Sequence, residues 1–214
     1  MWHADRDEDD VSDGVHLHKP HAQYVSGLLW CPRSLQALYS SSYDGTVKCL
    51  HIERRAFVTE FYSETHEISA FTTDASNAAN LWLGTTTGAL GAYDTRAGRL
   101  SAPIAPRHAK KVNTLSLDTH GRDWLLASAA TDASVQVWDV RSLRKPLVAM
   151  PLPRASQAAE WAPDGSSRLV VTCFDDRLRV VSLAAAADAA AASSAKAPKA
   201  ASAPPSRTIQ HNTQ

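Results

Sequence analysis

The chain has 214 residues, with 22 basic and 22 acidic side chains and zero formal net charge. That balance excludes a global electrostatic footprint for nucleic acid, so any such contact has to be a local patch. Cys31, Cys49 and Cys173 are far apart and outside any Cys-x-x-Cys spacing, no run of 18 apolar residues exists, and Met1 to Asp5 begins no signal peptide. A disulfide framework, a cysteine zinc site and a membrane-spanning helix are thereby excluded, and the composition reads as a soluble, reduced, intracellular protein.

Charge is unevenly spread. Residues 1–20 carry six acids against two bases, 21–183 carry 17 bases and 15 acids, and the remainder carries three bases and one acid. Asp5 to Asp10 is a solvated acidic loop. Val25 to Trp30 has strand chemistry, Pro32 closes it, and Ala37 to Ser42 is the next strand. Tyr43-Asp44-Gly45 is a hairpin signal, because Asp-Gly supplies the positive φ angles of a two-residue turn, and Thr46 to Leu50 is the returning strand.

The same grammar recurs. His66, Ile68 to Phe71, Leu81 to Thr85, a Thr87-Gly88 turn and Ala89 to Tyr93 make a second unit. His108, Val112 to Leu115, Trp124 to Ser128, an Asp132-Ala133 turn and Val135 to Trp138 make a third. Ala158 to Trp161, Leu169 to Cys173, an Asp175-Asp176 turn and Leu178 to Val181 make a fourth. The strand ends Leu50-His51, Tyr93-Asp94, Trp138-Asp139 and Val181-Ser182 lie 43, 45 and 43 residues apart. A period of about 40–45 residues with a Trp-Asp strand end is the signature of a WD-repeat β-propeller, an all-β binding platform.

The domain reading follows. Residues 1–20 are the end of a preceding blade, since Trp2-His3 precedes Leu50-His51 by 48 residues, followed by the acidic loop. Residues 21–183 are four repeats, 184–208 are an Ala/Ser/Pro low-complexity insertion, and 209–214 start another blade. The expectation is an incomplete propeller cut at both ends.

His21, His66 and His108 stand 23, 21 and 24 residues before the turn positions 44, 87 and 132. In WD repeats such a His joins the turn Asp, a strand Ser/Thr and the Trp in a buried tetrad, because a buried imidazole has to satisfy both nitrogens. The three are therefore read as structural. The fourth repeat has Leu152 where the His belongs and should be the less rigid blade. His16-x-His18-x-x-His21 suggests zinc, but His21 already has a structural assignment and no fixed carboxylate accompanies the group. No metal, cofactor or catalytic residue is expected. The chain has no phosphate loop, no Gly-x-Ser-x-Gly elbow and no His-Glu-x-x-His, and its carboxylates are scattered over turns.

Two patterns are candidate contact sites. Asp94-Thr95-Arg96 and Asp139-Val140-Arg141 place an Arg two residues beyond the strand-end Asp in consecutive repeats, where it can pair locally or face outward. Such a box resembles the motif by which substrate receptors of cullin-4 ubiquitin ligases engage the ligase's adaptor propeller. Lys110-Lys111, just after His108, is the candidate for phosphate contacts on the opposite rim.

The strings Leu38 to Lys48, Thr172-Cys173-Phe174-Asp175-Asp176-Arg177-Leu178-Arg179 and Ile209 to Gln214 resemble the WD-repeat DNA damage-binding family. The resemblance implies a seven-bladed nuclear propeller that binds double-stranded DNA, acts in the damage response and associates with the cullin-4 adaptor and with chromatin proteins. Lys110 and Lys111 are the expected DNA contacts, and Asp94, Arg96, Asp139 and Arg141 the expected adaptor contacts. The other open reading is a scaffold or substrate receptor for proteins that makes no DNA contact.

Overall fold

The structure is a computed structural model that describes residues 10–11, 15–16, 18–32, 34, 36–74, 80–119 and 124–183. Trp2-His3, most of the acidic run, the Ala-rich segment and residues 209–214 lie outside the described residues. A short hairpin pairs β1 (Asp10–Val11) with β2 (Val15–His16).

Four antiparallel meanders then follow in chain order. The first blade is β3 (Val25–Trp30), β4 (Ala37–Ser42), β5 (Thr46–His51) and β6 (Ala56–Tyr62). The second is β7 (Ile68–Thr73), β8 (Asn80–Thr85), β9 (Ala89–Asp94) and β10 (Arg99–Pro106). The third is β11 (Val112–Leu117), β12 (Leu125–Ala130), β13 (Ser134–Asp139) and β14 (Val148–Pro151). The fourth has three strands among the described residues, β15 (Ser156–Trp161), β16 (Arg168–Cys173) and β17 (Leu178–Ser182).

Period-two alternation sets the packing. In each blade one face of the second and third strands turns toward the next blade, and the first strand of that next blade meets it. Ala37, Tyr39, Val47 and Cys49 close against Ile68, Leu81 and Leu83. Trp82, Leu90 and Ala92 close against Val112, Leu115 and Leu126, and Leu125, Ala127, Val135 and Val137 against Ala159, Leu169 and Val171. The three free cysteines are buried.

A polar stitch accompanies each apolar interface. The second residue of an innermost strand donates its side chain to the first carbonyl of the next innermost strand. Ser26 Oγ reaches Ile68 O at 2.7 Å, Ser69 Oγ reaches Val112 O at 2.7 Å, and Asn113 Nδ2 reaches Ser156 O at 2.6 Å. These bonds satisfy carbonyls that no strand pairing at that edge can reach.

The end faces are open among the described residues. Leu178 and Val180 hold the positions of Val135 and Val137, yet are 64% and 60% exposed. Val25, Leu28 and Trp30 of β3 are likewise exposed, while their equivalents Val112, Leu115 and Leu117 are buried.

The hairpin turns correct one expectation. The Asp-Gly turn is a three-residue loop, Tyr43 to Gly45, in which Gly45 takes a φ of 80° and its N–H donates to Ser42 O at 3.3 Å. Asp44 is not left-handed, so this is a type I turn with a glycine bulge. A Cβ at Gly45 would sit 2.2 Å from the Ser63 carbonyl oxygen, which leaves room only for Gly.

Candidate functional site

Successive turns in an antiparallel blade alternate ends, so the propeller has two chemically different rims. One carries the β4–β5, β8–β9, β12–β13 and β16–β17 turns together with the histidine loops. The other carries the β5–β6, β9–β10 and β13–β14 turns with the Asp-x-Arg boxes.

On the histidine rim, the third blade holds the complete tetrad. Trp138 Nε1 donates to Ser128 Oγ at 2.9 Å, and Ser128 Oγ donates to His108 Nε2 at 2.7 Å. His108 Nδ1 then shares its proton between Ser134 Oγ at 3.0 Å and Asp132 Oδ2 at 3.2 Å. Asp132 also accepts from the Ala109 and Ser134 amides, which ties the β10–β11 loop to the β12–β13 turn. The first blade repeats this without the indole, since Leu50 stands where Trp138 would. His21 meets Ser40, Thr46 and Asp44 at 2.7, 2.8 and 3.3 Å.

Burial lowers both imidazoles below their ordinary value against the upward pull of Asp44 and Asp132, so both are neutral relays. Burial pushes the two carboxyls up, but hydrogen bonds from Thr46 and Ala22, and from Ser134 and Ala109, outweigh it and hold both below the usual range.

The second blade departs from the expectation for its histidine. Leu83, Thr87 and Ala89 replace the Ser, Asp and Ser of the third blade, so His66 keeps its position without its partners and its buried Nδ1 has none. The space beside it is a cleft of about 420 Å³ between the first two blades, lined by Tyr43, Asp44, Glu64, His66, Glu67 and Thr87 among others. In the fourth blade Asp175 is held by Arg179 instead of a histidine, at 2.5 and 3.0 Å.

Lys110 is exposed on this rim. Lys111 is half-buried and spans from the third blade to the first, where its Nζ donates to Tyr43 Oη at 2.5 Å and sits 5.1 Å from the ring centre. Nothing in the sequence pairs residues 43 and 111.

The two Asp-x-Arg boxes on the other rim differ. Asp139 binds Arg141 in a two-point fork, with Nε–Oδ1 at 2.8 Å and Nη2–Oδ2 at 2.6 Å, and the guanidinium lies 4.8 Å from the centre of the Trp124 ring. The Asp94 carboxylate instead caps its own turn through the Arg96 and Ala97 amides, leaving the exposed Arg96 guanidinium outside any ion pair among the described residues. Arg54, Arg55, Arg99, Arg144 and Lys145 are also exposed on or beside this rim.

Four meandering blades stitched through their innermost strands, with a buried His-Asp-Ser network in two of them, define a WD-repeat propeller protein. The WD domain, G-beta repeat family matches residues 14–50. Within that class the chain is similar to WD repeat-containing protein 76 of Rhinolophus ferrumequinum, 28% identical over 78% of this chain and 27% of that protein. It is similar to DNA damage-binding protein CMR1 of Scheffersomyces stipitis, 27% identical over 82% of this chain and 36% of the relative. The CMR1 of Phaeosphaeria nodorum is 25% identical over 98% of this chain and 42% of its own length. The chain thus spans from about a quarter to about two-fifths of these relatives.

Proposed function

We infer that the chain belongs to a nuclear, non-catalytic WD-repeat protein that binds double-stranded DNA in the damage response and presents its Asp-x-Arg rim to the adaptor propeller of a cullin-4 ubiquitin ligase. The similarity to proteins named for DNA damage binding, over about four-fifths of the chain or more, carries this reading. A propeller presents its rims to partners, chromatin proteins included, and the two rims here are chemically distinct.

For the ligase contact, Arg96 is the available cation and Arg141 the committed one. Replacing Arg96 with Ala removes an outward charge that nothing else holds, whereas Arg141 first has to leave Asp139 and Trp124. The test is co-purification of the adaptor with the full-length protein. Arg96→Ala should lose most of the adaptor and the Arg96→Ala, Arg141→Ala pair should lose all of it, with thermal stability unchanged. Full retention by the double variant refutes the ligase contact.

A scaffold that reads proteins and not DNA has its own support. The cleft beside His66 is lined by three carboxylates, Asp44, Glu64 and Glu67, and suits a basic peptide. Duplex binding measured against salt separates the readings, because phosphate contacts release counterions and lose affinity steeply. A flat, weak profile for the full-length protein favours the scaffold. In the same assay Lys110→Ala, Lys111→Ala tests the histidine rim.

A further inference from the structure

We propose that the DNA-contacting surface is a track on the Asp-x-Arg rim formed by Arg54, Arg55, Arg99, Arg144 and Lys145, beside the Arg96 adaptor contact. This inference rests on the DNA-binding reading above and relocates its contacts.

The first observation is placement. The β5–β6, β9–β10 and β13–β14 connections occupy the same place in three consecutive blades, and each carries one or two of these cations on or next to it. All five are exposed, and no salt bridge among the described residues involves any of them. The acids nearest in sequence offset little of this charge. Asp139 is neutralised by Arg141, which leaves two charged carboxylates, Asp94 capping its own turn and Glu53, against these cations. On the histidine rim, by contrast, Lys111 is bound to Tyr43 beside a cleft lined with carboxylates.

The second observation is conformational. Arg55 takes a φ of 46° at the end of its turn, where the β9–β10 turn has Gly98 at 62°. A left-handed backbone is unfavourable for a side-chain-bearing residue, and glycine relieves it. The chain therefore keeps a guanidinium at a position where backbone geometry favours glycine. Of the four such non-glycine positions among the described residues, Arg55, Ala133, Ser167 and Asp176, Arg55 alone carries a cation.

The occupant is a nucleic-acid backbone and not an acidic protein face. Cations recurring blade after blade give an extended track suited to a line of phosphates, which needs charge and not a deep pocket. Protein hot spots are rich in aromatic anchors. The exposed large apolar side chains beside these cations, Ile52, Leu100 and Leu147, are aliphatic, and the exposed Trp30 belongs to the open end face of the first blade.

The experiment measures binding of a fluorescent 30-base-pair duplex from 50 to 200 mM salt. It uses the full-length protein and a variant with Arg54, Arg55, Arg99, Arg144 and Lys145 changed to Gln. Arg96 is left in place so that the adaptor contact is not disturbed, and far-UV circular dichroism confirms folding of these surface variants. Each lost phosphate contact removes about one from the logarithmic salt slope, so the variant should lose about four to five, which widens its affinity deficit by about 250- to 1,000-fold between 200 and 50 mM salt. Lys110→Ala, Lys111→Ala should change the slope by less than about one.

If the wild type binds duplex and the rim variant keeps its slope, the track is wrong while the DNA reading stands. If the wild type does not bind duplex, the DNA reading fails and the track with it. Equal competition by poly-glutamate, matched for charge, would assign the rim to acidic proteins and overturn the nucleic-acid occupant.

Discussion

Replacing the three loop histidines one at a time tests the tetrad argument quantitatively. His108→Ala removes the Ser128 bond and the Nδ1 bonds shared by Ser134 and Asp132. Two lost bonds cost about 1 kcal/mol each. The fully buried imidazole leaves a cavity worth about a further 1 kcal/mol. The remaining partners soften the loss, since Ser128 keeps the Trp138 indole and Asp132 keeps the Ala109 and Ser134 donors. The expected destabilisation is about 3 kcal/mol, or about 6–12 °C in Tm for a domain of this size. His21→Ala, in a blade with no Trp to hold Ser40, should cost about the same. His66→Ala should cost less than about 1 kcal/mol, because His66 Nδ1 has no partner to lose. Urea titration of each variant, fitted for midpoint and slope, reads these values. An equal loss from His66→Ala and His108→Ala at unchanged slope would refute the claim that the second blade has no working tetrad.

The same network predicts the pH response. His21 and His108 have folded pKa values below the ordinary 6.5, so the unfolded chain takes up protons first as pH falls. Stability should be fully present above about pH 7 and decline from there toward pH 5. His108→Ala should flatten that decline, and urea midpoints at stepped pH check it. The turns offer a paired test. Gly88→Ala places a Cβ 2.3 Å from the His108 carbonyl at a φ of 85° and should cost about 3 kcal/mol or more. Ala133→Gly relieves a φ of 61° and should gain up to about 1 kcal/mol. Thermal melts of the two variants shifting in the same direction would contradict this.

Local chemistry was enough to locate the three inner strands of each blade, the turns and the repeat, but not the outer strands β6, β10 and β14. Alternating side chains and turn residues act over a few positions, and the 43- to 45-residue period is written into the chain itself. For that reason His108, Asp132 and Trp138 group in the sequence by their intervals to one turn, whereas Ser128 as their fourth partner came from the structure. Only the tertiary structure decided which cations are available. Lys111 looks free in the sequence, but it is taken by Tyr43, 68 residues away and in a non-adjacent blade. Arg96 and Arg141 occupy the same box, yet Trp124 and the fork to Asp139 hold one and not the other. Likewise Ser26, Ser69 and Asn113 read as ordinary strand residues until the next blade presents a carbonyl at 2.6–2.7 Å. Strand propensity and turn geometry are settled within a few residues. The partner of a long polar side chain depends on what the neighbouring blades bring within about 3 Å, and no local pattern encodes that distance.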